Sequence, residues 1–463
     1  MKYVSTRGAA PAVGFDDALL AGLAPDGGLY VPDIWPRLAD GWASRFADAP
    51  YAPVAIEVMS PFVEGAISGD DFGALVHDAY ARFDHPDVTP LRELGDGLWL
   101  LELHHGPTLA FKDVALQLVG RLFDHELARR GERATIVVAT SGDTGSAAIE
   151  ACVGRDTLDI VVLHPAGRVS EVQRRQMTTV DAPNVHNVAV AHGTFDDCQD
   201  LVKGLFADVD FRQRVRLSAM NSINWARVMA QVVYYVIAAA RLSASPVSFA
   251  VPSGNFGNVL AGWVARRMGV PVNQLVVGSN RNDILTRWLD TGVMAITEVH
   301  PTLSPSMDIA VSSNTERLLF ELFDRDGGAV AEIMARLRAA GTVDVGPTRL
   351  AGVGEVFDGA TVDDDVTLAE IARRHAEHGL LVDPHTAVGL AAARARRRDP
   401  SVPMVALATA HPAKFPDAVE RATGIRPPLP PALADLLDRP ERCTTLANDV
   451  DAVRQFVLDR TGH

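Results

Sequence analysis

From about residue 97 the chain alternates short apolar, β-branched runs with stretches of helical pattern, and this constrains its fold more than any other feature. LWLLEL at 98–103, ATIVVAT at 134–140, LDIVVLH at 158–164, VHNVAVA at 185–191, VSFAVP at 247–252, NQLVVGS at 273–279 and MVALATA at 404–410 read as strands. Asp113 to Arg130, Gly142 to Val153, SEVQRRQMTTV, a segment from Phe195 and INWARVMAQVVYYVIAAARL read as helices between them. A strand that is apolar along its whole length has both faces buried, which is the pattern of parallel sheets covered by helices on both sides. The expected fold class is therefore α/β. Ligands of such sheets bind beyond the carboxyl ends of the strands, so the loops there are the first places to look for a site. Residues 1–88 are turn-rich and read as an N-terminal cap, and Gly341 to Asp365, rich in Gly and Asp, reads as loop or insertion.

At 463 residues the chain is long enough for two to four lobes of about 100–200 residues each. Its net charge of −15 argues against nucleic acid or an anionic membrane as the main partner, and does not exclude an anionic small ligand, because a local cluster of amides and basic groups can override the mean field. Cys152, Cys198 and Cys443 are odd in number and widely spaced, so neither a disulfide framework nor a metal motif is expected. The start MKYVSTRGAAPAVGF carries no apolar signal-like run, and the greasiest stretch, Met229 to Ala240, is too short to span a bilayer. The expected location is the cytosol, and without a dedicated oligomerisation stretch the expected state is a monomer.

Four lysines stand against 39 arginines among the 43 basic residues, and one of them, Lys112, lies in HHGPTLAFKDVAL between a Gly-Pro turn and an apolar run. Arginine supplies charge, but only lysine supplies a primary amine able to deprotonate and attack a carbonyl carbon. On the residues alone Lys112 reads equally as a nucleophile or as an ordinary helix-start lysine. TSGDTGSAA, from Thr140, follows a strand and opens a helix, with two glycines, the hydroxyls of Thr140, Ser141 and Thr144, and helix-start amides that make an anion cradle or a plain capped turn. PSGNFGNVLAG, from Pro252, repeats the strand-to-helix arrangement, with Gly254 and Gly257 allowing close backbone approach. It is neither a dinucleotide fingerprint nor a P-loop. The tripeptide DTG occurs at Asp143 and at Asp290, but in helical surroundings unlike the β lobes of aspartic proteases. His375 and His378 have no third ligand nearby and read as a solvated helix face.

HGPTLAFKD, TSGDTG, SGNFGN and ATAHPAKF, in this order, together with YVSTRG, NSINWARVMAQVVYY and TLSPSMDI, resemble the threonine synthase family over nearly the whole chain. The resemblance implies a tryptophan-synthase β-like fold (fold type II among pyridoxal-phosphate enzymes), with two lobes and the N-terminal cap. It implies a cap over 1–88, a large cofactor lobe from 89–130 and 245–463, and a small mobile substrate lobe over 131–244. It implies pyridoxal 5'-phosphate as cofactor, in Schiff-base linkage to Lys112. Ser253, Gly254, Asn255, Phe256, Gly257 and Asn258 would cradle its phosphate, and the hydroxyl of Thr409 would meet its ring nitrogen. Thr140, Ser141, Gly142, Asp143 and Thr144 would receive the amino-acid substrate, with Asn224 and Arg227 beside it. Ser5, Thr6, Arg7 and Arg281 are further candidates for the substrate phosphate. The implied reaction turns O-phospho-L-homoserine and water into L-threonine and phosphate. A threonine or serine dehydratase or a phospholyase of the same fold, or a catalytically silent relative, is the alternative.

Overall fold

The computed structural model describes residues 1–243 and 246–461 and divides into two compact units. The larger comprises Met1–Gly106 and Ser222–Pro427, the smaller Pro107–Asn221 and Pro428–His463. The larger unit is built on a sheet in the order Phe357–Thr361, Val272–Ser279, Val247–Pro252, Met404–Ala408, Leu98–Glu102 and Leu91–Glu93. Its first five strands are parallel, and the last is an antiparallel edge. The smaller unit carries a wholly parallel sheet in the order Thr444–Leu446, Val185–Val190, Leu158–Pro165, Ala134–Ala139 and Leu217–Ser218. The runs read as strands from their two-sided apolar character are strands, and every residue of Leu158–Pro165 and Val247–Pro252 is buried.

The helix Trp225–Arg241 is buried along nearly its whole length in the larger unit. It lies against the helices Tyr51–Val63 and Gly257–Met268, and the approach to the latter is close: a Cβ on Gly262 would fall 2.8 Å from a ring carbon of Tyr235. Among the described residues no helix is long and apolar enough to cross a membrane.

These units do not follow the boundaries expected from the sequence. Residues 1–106 join the larger unit, through helices such as Tyr51–Val63 that pack on Trp225–Arg241. The helix Lys112–Arg130 belongs to the smaller unit, because Gly120 brings it against Ala151 of the helix Asp143–Cys152. The end of the chain belongs there as well. Thr444–Leu446 extends the parallel sheet beside Val185–Val190, and Val453 and Val457 of the helix Val450–Arg460 complete its core with Leu201, Leu205 and Phe211. The boundary placed at 244/245 lies outside the described residues.

The segment from Gly341 to Asp365 is not a loop. It contains the strands Thr342–Asp344 and Phe357–Thr361 and the helix Pro347–Gly354. Its glycines suggested irregular backbone, yet Gly359 lies within a strand, where a Cβ would meet Cα of Thr286 at 2.8 Å. Close packing of strand on helix, not turn geometry, explains that glycine.

Candidate active site

In the smaller unit, Lys112 is the first residue of the helix Lys112–Arg130 and is buried. The helix start is tied by Asp113, whose carboxylate accepts hydrogen bonds from the amide of Thr108 at 2.8 Å and its hydroxyl at 2.7 Å. Asp143 is likewise the first residue of its helix, Asp143–Cys152. Gly120 and Ala151, where the two helices touch, each lie about two turns past those starts, so the contact sets Lys112 and Asp143 side by side. Lys112 Nζ stands 3.3 Å from Asp143 Oδ2 and 5.3 Å from the centre of the Phe111 ring.

The loop before Asp143 is held from within. Thr140 Oγ1 accepts from the amides of Gly142 and Gly145, each at 2.9 Å. Gly142 has φ 142° and ψ −80°, a conformation essentially closed to other residues. Gln173 Nε2 donates to Asp143 Oδ1 at 2.8 Å, and Gln176 Nε2 donates to the carbonyl of Thr108 at 3.1 Å. Both carboxamides come from the helix Glu171–Thr178 and were not singled out from the sequence. The available signal was Ser170-Glu171-Val172-Gln173, which has the spacing of a helix capping box.

In the larger unit the loop Ser253 to Asn258 joins the strand Val247–Pro252 to the helix Gly257–Met268. Phe256 caps that helix with φ 61° while its ring is fully buried against Phe357. A Cβ on Gly254 would meet Cα of Met307 at 3.1 Å. The loop carbonyls are occupied from outside: Ser312 Oγ donates to Gly254 O at 2.8 Å, and Asn314 donates to Asn255 O through its amide at 3.2 Å and its side chain at 3.0 Å. Arg317, fully buried, in turn donates to Asn314 Oδ1, to Ile223 O at 2.6 Å and to Tyr30 O at 3.0 Å. Burial pulls its guanidinium pKa down to about 9.

Replacing Arg317 by Met would strip these buried acceptors of their donors, each at about 1–3 kcal/mol. The expected loss is about 3 kcal/mol or more in urea unfolding, with weaker cofactor retention because Asn314 is no longer held.

Thr409 follows the strand Met404–Ala408, is buried, and its amide donates to Thr386 Oγ1 at 3.2 Å. Thr386 and His385 both donate to Asp383, His385 through Nδ1 at 2.8 Å. His385 Nε2 accepts from the amide of Ser306 at 3.2 Å, which leaves Nδ1 as the donor toward Asp383. Asn224 caps the helix Trp225–Arg241, and its Nδ2 donates to Leu19 O at 2.8 Å. Arg227 is buried, and burial lowers its pKa to about 10. The other phosphate candidates have partners or face solvent. Arg7 is paired with both oxygens of Glu316 at 3.0 Å, Thr6 donates to Glu316 at 2.6 Å, Ser5 donates to Asp26 at 2.7 Å, and Arg281 is exposed. Asp290 is exposed, and among the described residues no group of three or more His, Cys, Asp or Glu could hold a metal.

Three family descriptions match in series: Threonine synthase N terminus over residues 2–80, Pyridoxal-phosphate dependent enzyme over 83–348, and Threonine synthase, C-terminal over 386–457. Threonine synthase of Pseudomonas aeruginosa is 55% identical over 99% of this chain and 98% of its own length. The chain belongs to the threonine synthase family. The enzyme of Corynebacterium glutamicum is 44% identical, again over 99% of this chain and 98% of its own. The structure of pyridoxal-phosphate-bound threonine synthase from Brucella melitensis superimposes with a TM-score of 0.97 at 50% identity, covering 100% of both chains. Yeast threonine synthase superimposes with 0.93 at 36% identity, over 99% of this chain and 98% of its own. The chain is thus a pyridoxal-phosphate-dependent threonine synthase of fold type II.

The residues fit that cofactor. Helix-start amides and a glycine whose Cβ would abut Met307 make a cradle for a phosphate. Asn258 points the same way. Its Oδ1 is held by the hydroxyls of Tyr234 and Tyr235, while its buried Nδ2 has no partner among the described residues.

At the carboxyl ends of the parallel neighbours Leu98–Glu102 and Met404–Ala408, the rings of His104 and His411 meet edge to face at 5.5 Å. Burial, together with neighbouring histidines, pulls His104 down to about 3 and His411 down to about 4, from an ordinary 6.5. His105 is raised despite its burial, by hydrogen bonds to and the charges of Glu102 and Asp84. Below pH 6.5 the unfolded chain takes up protons at His104 and His411 that the folded chain refuses, so stability falls as pH drops toward 4. His105 acts in the opposite sense, stabilising below that pH and losing its contribution as pH rises through its folded value. Urea unfolding at pH 7 and pH 5 is expected to show the loss, and His104→Gln is expected to flatten it.

Proposed function

We propose that the chain converts O-phospho-L-homoserine and water into L-threonine and inorganic phosphate in the cytosol, with Lys112 as the residue that carries the cofactor and the proton of the substrate α-carbon. The observation that carries this reading is a buried lysine at a helix start, 3.3 Å from an aspartate of a glycine loop, in a chain that elsewhere prefers arginine. Ser253, Gly254, Asn255, Phe256, Gly257 and Asn258 would hold the cofactor phosphate, with the amides of the helix start and Asn258 Nδ2 as donors. Thr409 would present a neutral hydroxyl to the ring nitrogen, which leaves that nitrogen largely unprotonated. Bound pyridoxal phosphate supplies the electron sink for a carbanion next to the substrate amine.

Everything else in the chemistry falls to the chain. Lys112, as a free amine, takes the proton from the substrate α-carbon at Nζ and returns a proton later in the turnover. The loop Thr140, Ser141, Gly142, Asp143 and Thr144 orients the substrate through its helix-start amides and hydroxyls. Asn224 and Arg227 complete the substrate side. The net change removes phosphate from the γ-carbon and sets a hydroxyl on the β-carbon. Phosphate release and threonine formation from O-phospho-L-homoserine test the reading. Ketoacid production from threonine, with no phosphate released from the phosphorylated substrate, would instead favour a dehydratase.

A further inference from the structure

The helix Glu171–Thr178 presents two carboxamides, one turn apart, to the two segments that carry the reacting groups of the smaller unit. Gln176 holds the carbonyl of Thr108, four residues before Lys112, and Gln173 holds Asp143. The orientation of Gln173 is fixed as well as its place. Ser170 Oγ donates to Gln173 Oε1 at 2.9 Å, so the amide nitrogen is the end left to face Asp143. The side chain is 2% exposed and lies over Gly142, where a Cβ would come within 2.5 Å of the carboxamide carbon. With Oδ1 of Asp143 held at 2.8 Å, its Oδ2 is aimed at Lys112 Nζ, 3.3 Å away.

We propose that Gln173 is a positioning residue for the reaction: it pins Asp143 so that this carboxylate meets Lys112 Nζ and sets when the amine holds its proton and when it gives it up. The proposal rests on the reading of Lys112 as the reacting lysine. The groups packed around Nζ in this unit are consistent with it. Asp143 comes from the neighbouring helix start, while Asp113, on the same helix as Lys112, is turned to Thr108. Gln173 and Gln176 from the third helix are neutral, and the Phe111 ring face adds a further attraction for a cation.

Two substitutions of nearly equal shape make opposite predictions. Gln173→Met keeps the length but removes the donor, so Asp143 is no longer held against the ammonium, which then releases its proton at lower pH. Gln173→Glu sets a second carboxylate beside Asp143, and the ammonium keeps its proton to higher pH. A residue that merely packs would not move the two in opposite directions.

The experiment uses the full-length chain, freed of cofactor with hydroxylamine and shown to regain its visible band when pyridoxal phosphate is returned. Pulses of acetic anhydride over a pH series, read by mass spectrometry, give the labelling rate of Lys112 against the exposed Lys203. Well below the wild-type midpoint, where little of the amine is free, labelling of Lys112 is expected to be about threefold faster in Q173M and about threefold slower in Q173E, the change given by a shift of half a pH unit. Folded variants that both label at the wild-type rate would overturn the proposal. Should Q173E not fold, the Q173M rate, or that of Q173L in its place, decides alone. Phosphate release from O-phospho-L-homoserine is followed in parallel. Its absence in the wild type would strike at the proposed reaction, whereas unchanged labelling strikes only at Gln173.

Discussion

Lys112→Arg is expected to fold, to keep a cation beside Asp143, and yet to form threonine at less than about one-thousandth of the wild-type rate. The guanidinium can preserve the charge contact that the ammonium makes at 3.3 Å. It cannot condense with a carbonyl, and it does not lose a proton in the working pH range. Two functions therefore fail together, covalent attachment of the cofactor and proton transfer at the α-carbon, and general acid–base catalysis alone is worth about 10²–10⁴ in rate. The same protein should show no cofactor trapped by borohydride while its unfolding midpoint stays close to that of the wild type. Threonine formation above the stated level would remove Lys112 from its assigned role.

The sequence announced seven strands of the two sheets because those runs are apolar on both faces, as only a strand covered on two sides needs to be. It did not announce Leu91–Glu93, Leu217–Ser218, Phe357–Thr361 or Thr444–Leu446, which are short or lie at sheet edges. The two glycine loops drew notice because each joins the carboxyl end of such a strand to a helix start, whereas Lys112 read two ways on the residues alone and Thr409 was named only through the family resemblance. What it hid depends on contacts between distant segments. The return of Thr444–Leu446 and the helix Val450–Arg460 to the smaller unit is made by three strand residues and a pair of valines, too short a signal to assign to one sheet over another. Arg7 read as a phosphate ligand, and only the folded chain shows Glu316 occupying it from 309 positions away. The support behind the cradle, Asn314 and Arg317, sits in a segment with no motif of its own, and acts through carbonyl oxygens that no side-chain pattern reveals. Gln173 was hidden for a different reason. Its spacing from Ser170 is that of a local cap, and its outward bond to Asp143 exists only once the helix Glu171–Thr178 is laid against the glycine loop.

Gly142→Ala is expected to damage turnover and stability together, and the reason separates into two parts. The backbone there has φ 142° and ψ −80°, a region in which a residue with a Cβ carries strain of about 1–3 kcal/mol. The added Cβ would also fall 2.5–2.7 Å from the carboxamide atoms of Gln173, so either the loop or the glutamine must move. If the glutamine moves, Asp143 loses the hydrogen bond it accepts from Gln173 at 2.8 Å. If the loop moves, Thr140 loses the amide of Gly142, whose hydrogen bond it accepts at 2.9 Å. Either way turnover is expected to fall by more than tenfold, with a loss of a few kcal/mol in stability. The double variant Gly142→Ala, Gln173→Ala distinguishes the parts. Removing the carboxamide makes room for the methyl, so part of the lost stability should return and the two substitutions should not be additive. Turnover should not return with it, because Asp143 then lacks the Gln173 hydrogen bond and the backbone strain remains. Additive losses in the urea unfolding of the three variants would show that the methyl and the carboxamide never meet, and that the strain in the loop backbone is the whole effect.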